Sequence, residues 1–316
     1  MKKLNQEKIF TKPVNVLLLS VLCTILWGSA YPCIKIGYEL FDLSTNDIPS
    51  KLVFAGIRFF AAGLITLAIC TFQHKKFVLP DRTNIKGIVV IGLVQTFLEY
   101  LFFYISLSHT TGVKGSILNS STSFFVVILA HIFYKNDKIT PQKLVGCIVG
   151  FGGIIMININ GISTQSLGFN FLGDGMMLLA ALSFAFGSLL SKNLSQKSDP
   201  IMVTGYQLGI GGILLILVGL ATGGTLTRVT LPGMLLLSYM SLLSAAAFSV
   251  WTILSKFNKI SKIAVYNFLT PVFGALLSAL FLGENLFTLN NMAALVLVCI
   301  GIYIVNIAKK ANTALK

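Results

Sequence analysis

The stretch VKGSILNSSTSFFVVILAHIFYKNDKITPQKLVGCIVGFGGIIMINI (residues 113–159) has a counterpart later in the chain, SKIAVYNFLTPVFGALLSALFLGENLFTLNNMAALVLVCIGIYIVNI (residues 261–307). The two align without a gap at a shift of 148 positions, which sets Lys114 on Lys262, Asn119 on Asn267 and Thr122 on Thr270. Further along, Thr140 falls on Thr288, Gly153 on Gly301 and Asn158 on Asn306. Two apolar helices converge easily in leucine and valine, but amides and hydroxyls repeated at fixed positions point to duplication. A second, weaker match sets WGSAYPCIK (27–35) against FAFGSLLSK (184–192).

The composition says what is duplicated. Of 316 residues, 55% are hydrophobic and 11% charged, with a mean hydropathy of +0.85. A soluble domain carries roughly 25% charged residues, so this chain lacks the polar coat that water demands. Apolar runs near membrane-spanning length occur at 14–37, 52–72, 85–108, 113–134, 143–160, 170–192, 201–222, 231–255, 262–283 and 289–308. The fold class that follows is an all-α polytopic membrane protein with ten transmembrane helices. Residues 14–160 form one five-helix repeat and 170–308 the other. Because five is odd, the second repeat enters the membrane in the opposite direction, the inverted-repeat plan of secondary transporters.

The net charge of +14 is distributed by side rather than by patch. Lys2, Lys3, Lys8 and Lys12 share a face with HKKFVLPDRTNIK (74–86), KNDKITPQK (135–143), Lys192, Lys197, Lys256, Lys259, Lys262 and the C-terminal lysines. Lys51, Lys114 and Arg228 lie on the opposite face with Glu39, Asp42, Asp47, Asp174 and Glu284. The basic side is expected to be cytoplasmic and to carry both termini, in a plasma membrane. This arrangement excludes nucleic acid as a partner. The lysine-rich start before VNVLLLSVLCTILWGSA is expected to be retained rather than cleaved as a signal peptide, because the first span has a counterpart in the second half. The cysteines (23, 33, 70, 147, 299) and histidines (74, 109, 131) are scattered, so neither disulfides nor a metal site is expected. No cofactor is called for.

With these residues in view, LWGSAYPCIK in the first span and FAGIRFFAAGLI in the second resemble the EamA family of the drug/metabolite transporter superfamily. So does NFLTPVFGALLSALFLGENLFTLNNMAALVLVCIGIYIVN, with Pro271, Gly283, Glu284 and Gly301 in place. The resemblance covers essentially the whole chain as two EamA-type repeats. It implies ten helices, cytoplasmic termini and export of small metabolites. The fourth span departs from the pattern, with Ser123 for the usual proline and Asn136 for the usual glutamate.

Candidate site residues come from polar groups inside the apolar runs. Glu99 stands in LVQTFLEYLFFYISL (93–107), on a face with Gln95, Phe103 and Ser106. A central charge costs roughly 2.5–3.5 kcal/mol even on the lenient insertion scale, so this face is expected to border protein or a cavity. Arg58 in the second span lies about one turn from its level. Either the two form a buried ion pair that fixes packing, or Glu99 is a proton or cation acceptor during transport.

The first span presents Ser20, Thr24, Trp27 and Tyr31 on one face, with Pro32 as a hinge. The fourth offers Ser116, Asn119, Ser120 and Ser123, and the ninth Tyr266, Asn267 and Thr270 before a second hinge, Pro271. In the eighth, Ser241, Ala245 and Ser249 form a packing face, while Phe248 and Trp251 either line the cavity or anchor the interface. GYQLGIGG (205–212) reads as GxxxG packing between Gly205 and Gly209 rather than a phosphate loop.

An enzyme is the rival class, but FLGDG (171–175) has Phe where an intramembrane aspartyl protease motif needs glycine, and no second membrane aspartate accompanies Asp174. The expected function is alternating-access transport of a small metabolite, an amino acid or related zwitterion suiting a cavity with both signs of charge. A multidrug or lipophilic-cation proton antiporter is the alternative. Expected partners are the substrate, the lipid bilayer and protons, in a monomer or homodimer.

Overall fold

In the computed structural model, which describes residues 2–44, 47–110, 112–157, 169–282 and 289–307, every regular element is a helix. A short helix, Lys2–Thr11, precedes α1 (Pro13–Leu40), α2 (Ile48–His74) and α3 (Arg82–Leu107). Next come α4, in two pieces (Gly112–Asn119 and Thr122–Phe133), and α5 (Pro141–Ile157). The second half holds α6 (Phe171–Lys197), α7 (Pro200–Ala221) and α8 (Leu231–Phe257). It ends with α9 (Ile260–Ala264, a 3₁₀ turn Val265–Phe268, then Leu269–Leu282) and α10 (Leu289–Ile307). Among the described residues seven helices are long and apolar enough to cross a membrane, and three shorter apolar ones lie in α4, α5 and α10. Gly283, Glu284, Thr288, Asn158 and the side chains of Lys114 and Ser116 lie outside what is described.

Local sequence sets the helix starts. The Asp47 carboxylate accepts from Ser50 N at 3.0 Å, Asp199 caps α7 through Ile201 N and Met202 N, and Thr230 caps α8 through Gly233 N. Prolines 13, 49, 200 and 232 sit in the first turns, where a missing N–H costs nothing.

The packing repeats with the sequence. Helix α2 lies against α7 and α5 against α10, while the contact of α1 with α9 is matched by that of α6 with α4, and α2–α8 by α3–α7. Glycines let these backbones approach. A Cβ on Gly63 would stand 2.5 Å from Gly209 N and 2.8 Å from Gly205 O, and one on Gly301 2.6 Å from Gly146 O. The GxxxG of α7 is therefore a packing face, as its spacing implied. Large apolar side chains such as Leu64, Ile132, Ile148 and Leu217 are exposed outward, whereas Arg58, Gln95, Thr96 and Gln207 are buried. That is the inverse of a soluble protein and suits lipid outside.

On the basic side the α4–α5 connector is locked to α9. Lys143 Nζ meets Asp137 Oδ1 at 2.6 Å, and Asp137 also accepts from Ser261 N at 3.1 Å and from the Ser261 hydroxyl, so it caps the start of α9. Replacing Asp137 with alanine strands a buried ammonium and an uncapped helix. We expect a loss of about 3–5 kcal/mol, read as a lowered midpoint in thermal unfolding of the detergent-solubilised protein.

Pro32 lies inside α1, which stays helical past it, and α9 changes helix type just before Pro271. One sequence expectation is corrected. The scattered histidines and cysteines do yield one cluster. Cys70 and His74, one turn apart on α2, meet Asp199 at the start of α7. The linear distance between them hid this.

Candidate functional site

Two interruptions build the site. Helix α4 breaks at Ser120 and Ser121, and α9 passes through 3₁₀ geometry at Val265–Phe268. At the shift of 148 Ser120 and Ser121 fall on Phe268 and Leu269, where the 3₁₀ turn ends, so the two interruptions adjoin in the two repeats. Span four thus breaks although serine 123 replaces the proline of span nine. Ser123 Oγ instead donates to Ala264 O at 2.9 Å, tying one interruption to the other. Broken helices at equivalent positions are where secondary transporters hold substrate.

Around these breaks lies a cavity of about 130 Å³. Asn119, Ser120, Thr122 and Ser123 line it from α4, and Asn267, Thr270 and Pro271 from α9. Trp27, Ala30, Tyr31 and Ile34 of α1, Arg58 of α2 and Glu99, Tyr100 and Phe103 of α3 form another wall, with Phe184 and Phe248 completing it.

Arg58, only 2% exposed, donates from Nε to Ser244 Oγ on α8 at 2.9 Å. It makes no ion pair with Glu99 within 4.0 Å. Glu99 Oε2 is buried with no hydrogen-bond partner among the described residues, and so is Thr270 Oγ1. The buried ion pair entertained from sequence is thus not formed. Ser244 holds the Nε edge of the guanidinium, and Arg58 and Glu99 border one space without direct contact.

Glu99 follows a π-helical segment, Gly92–Leu98. A wider turn there shifts the register of the helix, which breaks the stripe that plain α spacing implied. Gln95 turns away to donate to Ser188 Oγ at 3.1 Å on α6, and Ser106 donates to Gly173 O at 2.6 Å, while Glu99 and Phe103 stay at the cavity. Gln95 therefore does not line it. Nor do Trp251 and Tyr266, which are buried in the packed core. Asp174 is engaged by Asn170 N at 2.8 Å and by the Thr110 hydroxyl at 3.3 Å, a structural tie at the start of α6.

Toward the basic side the cavity ends on a cluster of rings. Trp27 meets Trp251 at 5.0 Å, Phe248 at 5.5 Å and Phe184 at 6.1 Å, each edge-on. Toward the opposite side lies a second space lined by Lys35, Glu39, Asp42, Lys51 and Tyr104. Tyr104 is 1% exposed, and its ring packs on Tyr100 and Phe103 of the central cavity, so it separates the two spaces.

Sequence reasoning missed Ala30, Ile34, Tyr100, Thr122 and Phe184 as lining residues, and of its pair Phe248 and Trp251 only Phe248 lines the cavity. Thr122 was signalled by its match to Thr270, and Phe184 by its place opposite Trp27 in the weaker repeat match. Nothing local marked Tyr100.

Comparison with known proteins gives a consistent picture. A family model described as the EamA-like transporter family matches residues 14–159 and 171–307. A WAT1-related chloroplast protein of Arabidopsis thaliana is 27% identical over 89% of this chain and 66% of its own length. The uncharacterized transporter YvbV of Bacillus subtilis is 28% identical over 97% of this chain and 96% of itself. The uncharacterized inner membrane transporter YedA of Escherichia coli K12 is 27% identical over 89% of each. One solved crystal structure superposes with a TM-score of 0.77 at 14% identity, covering 96% of this chain and all of that one, which speaks to fold alone.

Proposed function

The chain belongs to the EamA-like transporter family, and from that premise we propose that it carries a small zwitterion of the amino-acid class through the central cavity. It is a multi-pass membrane transporter and not an enzyme. The observation that supports the zwitterion is the pair of separated charges. Arg58 and Glu99 line one cavity with no direct ion pair between them. A substrate carboxylate suits the guanidinium and a substrate ammonium suits the carboxylate and the surrounding rings. The proposed direction is export, by rocking of two repeats with both termini in the cytoplasm.

One observation favours a second reading, a lipophilic cation exchanged for protons. Glu99 lies among Trp27, Tyr31, Tyr100 and Phe103 with an unpartnered oxygen, the surroundings that a bulky cation needs.

Counterflow into proteoliposomes with a labelled amino-acid panel and a panel of lipophilic cations separates the two. For the zwitterion, Arg58→Gln should weaken half-saturation by roughly 10- to 100-fold, the worth of a charged hydrogen bond. For a cation the same change should leave binding intact or improve it. Exchange of neither panel by folded protein would overturn both.

A further inference from the structure

We propose that Cys70, His74 and Asp199 form a binding site for a zinc-type divalent transition metal on the basic side of the membrane, bridging α2 and α7. The three donor atoms lie within 4.8 Å of one another. His74 Nε2 stands 3.2 Å from Asp199 Oδ2, and Cys70 Sγ 3.8 Å from Asp199 Oδ1. In a tetrahedral zinc site, with ligand bonds of about 2.0–2.3 Å, neighbouring donors are separated by about 3.3–3.7 Å. The His74–Asp199 edge is therefore already close to final length, while Cys70, which meets the other carboxylate oxygen, lies within 4.8 Å and has to turn toward Oδ2.

The donor set is chemically selective. Sulfur, imidazole and one carboxylate suit zinc or cobalt(II), while magnesium and calcium require oxygen throughout. On ligation the Cys70 thiol gives its proton to solvent, so a thiolate and a carboxylate balance the metal's two charges.

The carboxylate is also held in place. Asp199 Oδ1 accepts from Ile201 N at 2.8 Å and Met202 N at 3.0 Å, which turns Oδ2 toward His74. Ligating carboxylates in metalloproteins are oriented by hydrogen bonds of this kind. Cys70 is buried, whereas the His74 and Asp199 side chains are 41% and 28% exposed, so a fourth position opens to water and the ion has a way in. This site is separate from the central cavity and does not rest on the transport reading. Its ligands come from both repeats, so an occupied site would clip the α2–α7 seam.

The test uses tag-free, detergent-solubilised full-length protein and zinc itself, titrated in competition with a chromophoric chelator. One zinc per chain is expected, weakened at least about tenfold by Cys70→Ser or His74→Gln. Asp199→Ser removes the ligand while keeping a capping hydroxyl, and should do the same. On the wild type, cobalt(II) should give a thiolate-to-metal charge-transfer band that zinc abolishes, a readout that needs no variant. Absence of that band, or zinc affinity unchanged in Cys70→Ser and His74→Gln, overturns the site.

Discussion

Glu99→Gln should abolish accumulation driven by a pH gradient, with exchange continuing only at raised substrate concentration, since the carboxylate that takes the proton is also the one proposed to meet the substrate ammonium. The carboxylate borders the central cavity, Arg58 Nε is bonded to Ser244 rather than to it, and Oε2 has no partner among the described residues. A charge in that position is costly in a membrane, and glutamine keeps its shape while removing its titration. With one proton exchanged per substrate, each pH unit supports about a tenfold substrate gradient, because a factor of ten in equilibrium is about 1.4 kcal/mol. The substitution should collapse that ratio to one in proteoliposomes, and equilibrium counterflow should continue at raised substrate concentration. Accumulation by the variant equal to wild type would remove Glu99 from coupling, and half-saturation equal to wild type would remove it from the substrate site.

The largest structural effect is expected at Gly212. A Cβ there would lie 2.4 Å from Phe60 N and 2.8 Å from Gly56 O, so the clash is with backbone on both counts. Neither can swing aside as a side chain does, and α2 must separate from α7 along its length. Gly212→Ala should cost about 3 kcal/mol, the upper end for overpacking a tight core, and Gly212→Leu should leave no monodisperse protein. Gly209, one turn earlier on the same helix, supplies the contrast. Its Cβ would meet nothing within 4 Å, so Gly209→Ala should be tolerated. Size-exclusion profiles and thermal midpoints of the two alanine variants decide this, and equal behaviour would mean that the seam is not close-packed.

The ten spans were legible because a helix in hydrocarbon must be apolar over a fixed length, and nothing else in the chain imitates that. The repeat made the polar residues of α4 and α9 legible as well, since Asn119 with Asn267 and Thr122 with Thr270 stand at matching positions. The wall on α3 was less readable. A π segment is a hydrogen-bonding register rather than a composition, and GLVQTFL carries no residue that demands it. Plain α spacing therefore placed Gln95 beside Glu99 and left out Tyr100. Trp251 and Tyr266 were misplaced for a different reason. An aromatic residue near a cavity and one packed just beneath it have the same local sequence, and only the rings contacting Trp251 assign it to the floor. The Arg58 partner was illegible because Ser244 lies 186 residues away, on a helix whose serines all suit packing.

Trp27 and Phe184 head the two segments of the weaker repeat match, and they touch each other. Most contacts in a duplicated bundle have a twin elsewhere, as α1–α9 has in α6–α4. A contact between equivalent residues is its own twin. When two halves of a carrier trade conformations, paired contacts exchange roles, but a self-matched one is carried into itself. In the rocking proposed above, the contact of Trp27 with Phe184 would be the fulcrum, the place where the lever turns without travelling. Changes there should alter how fast the protein cycles more than how tightly it binds.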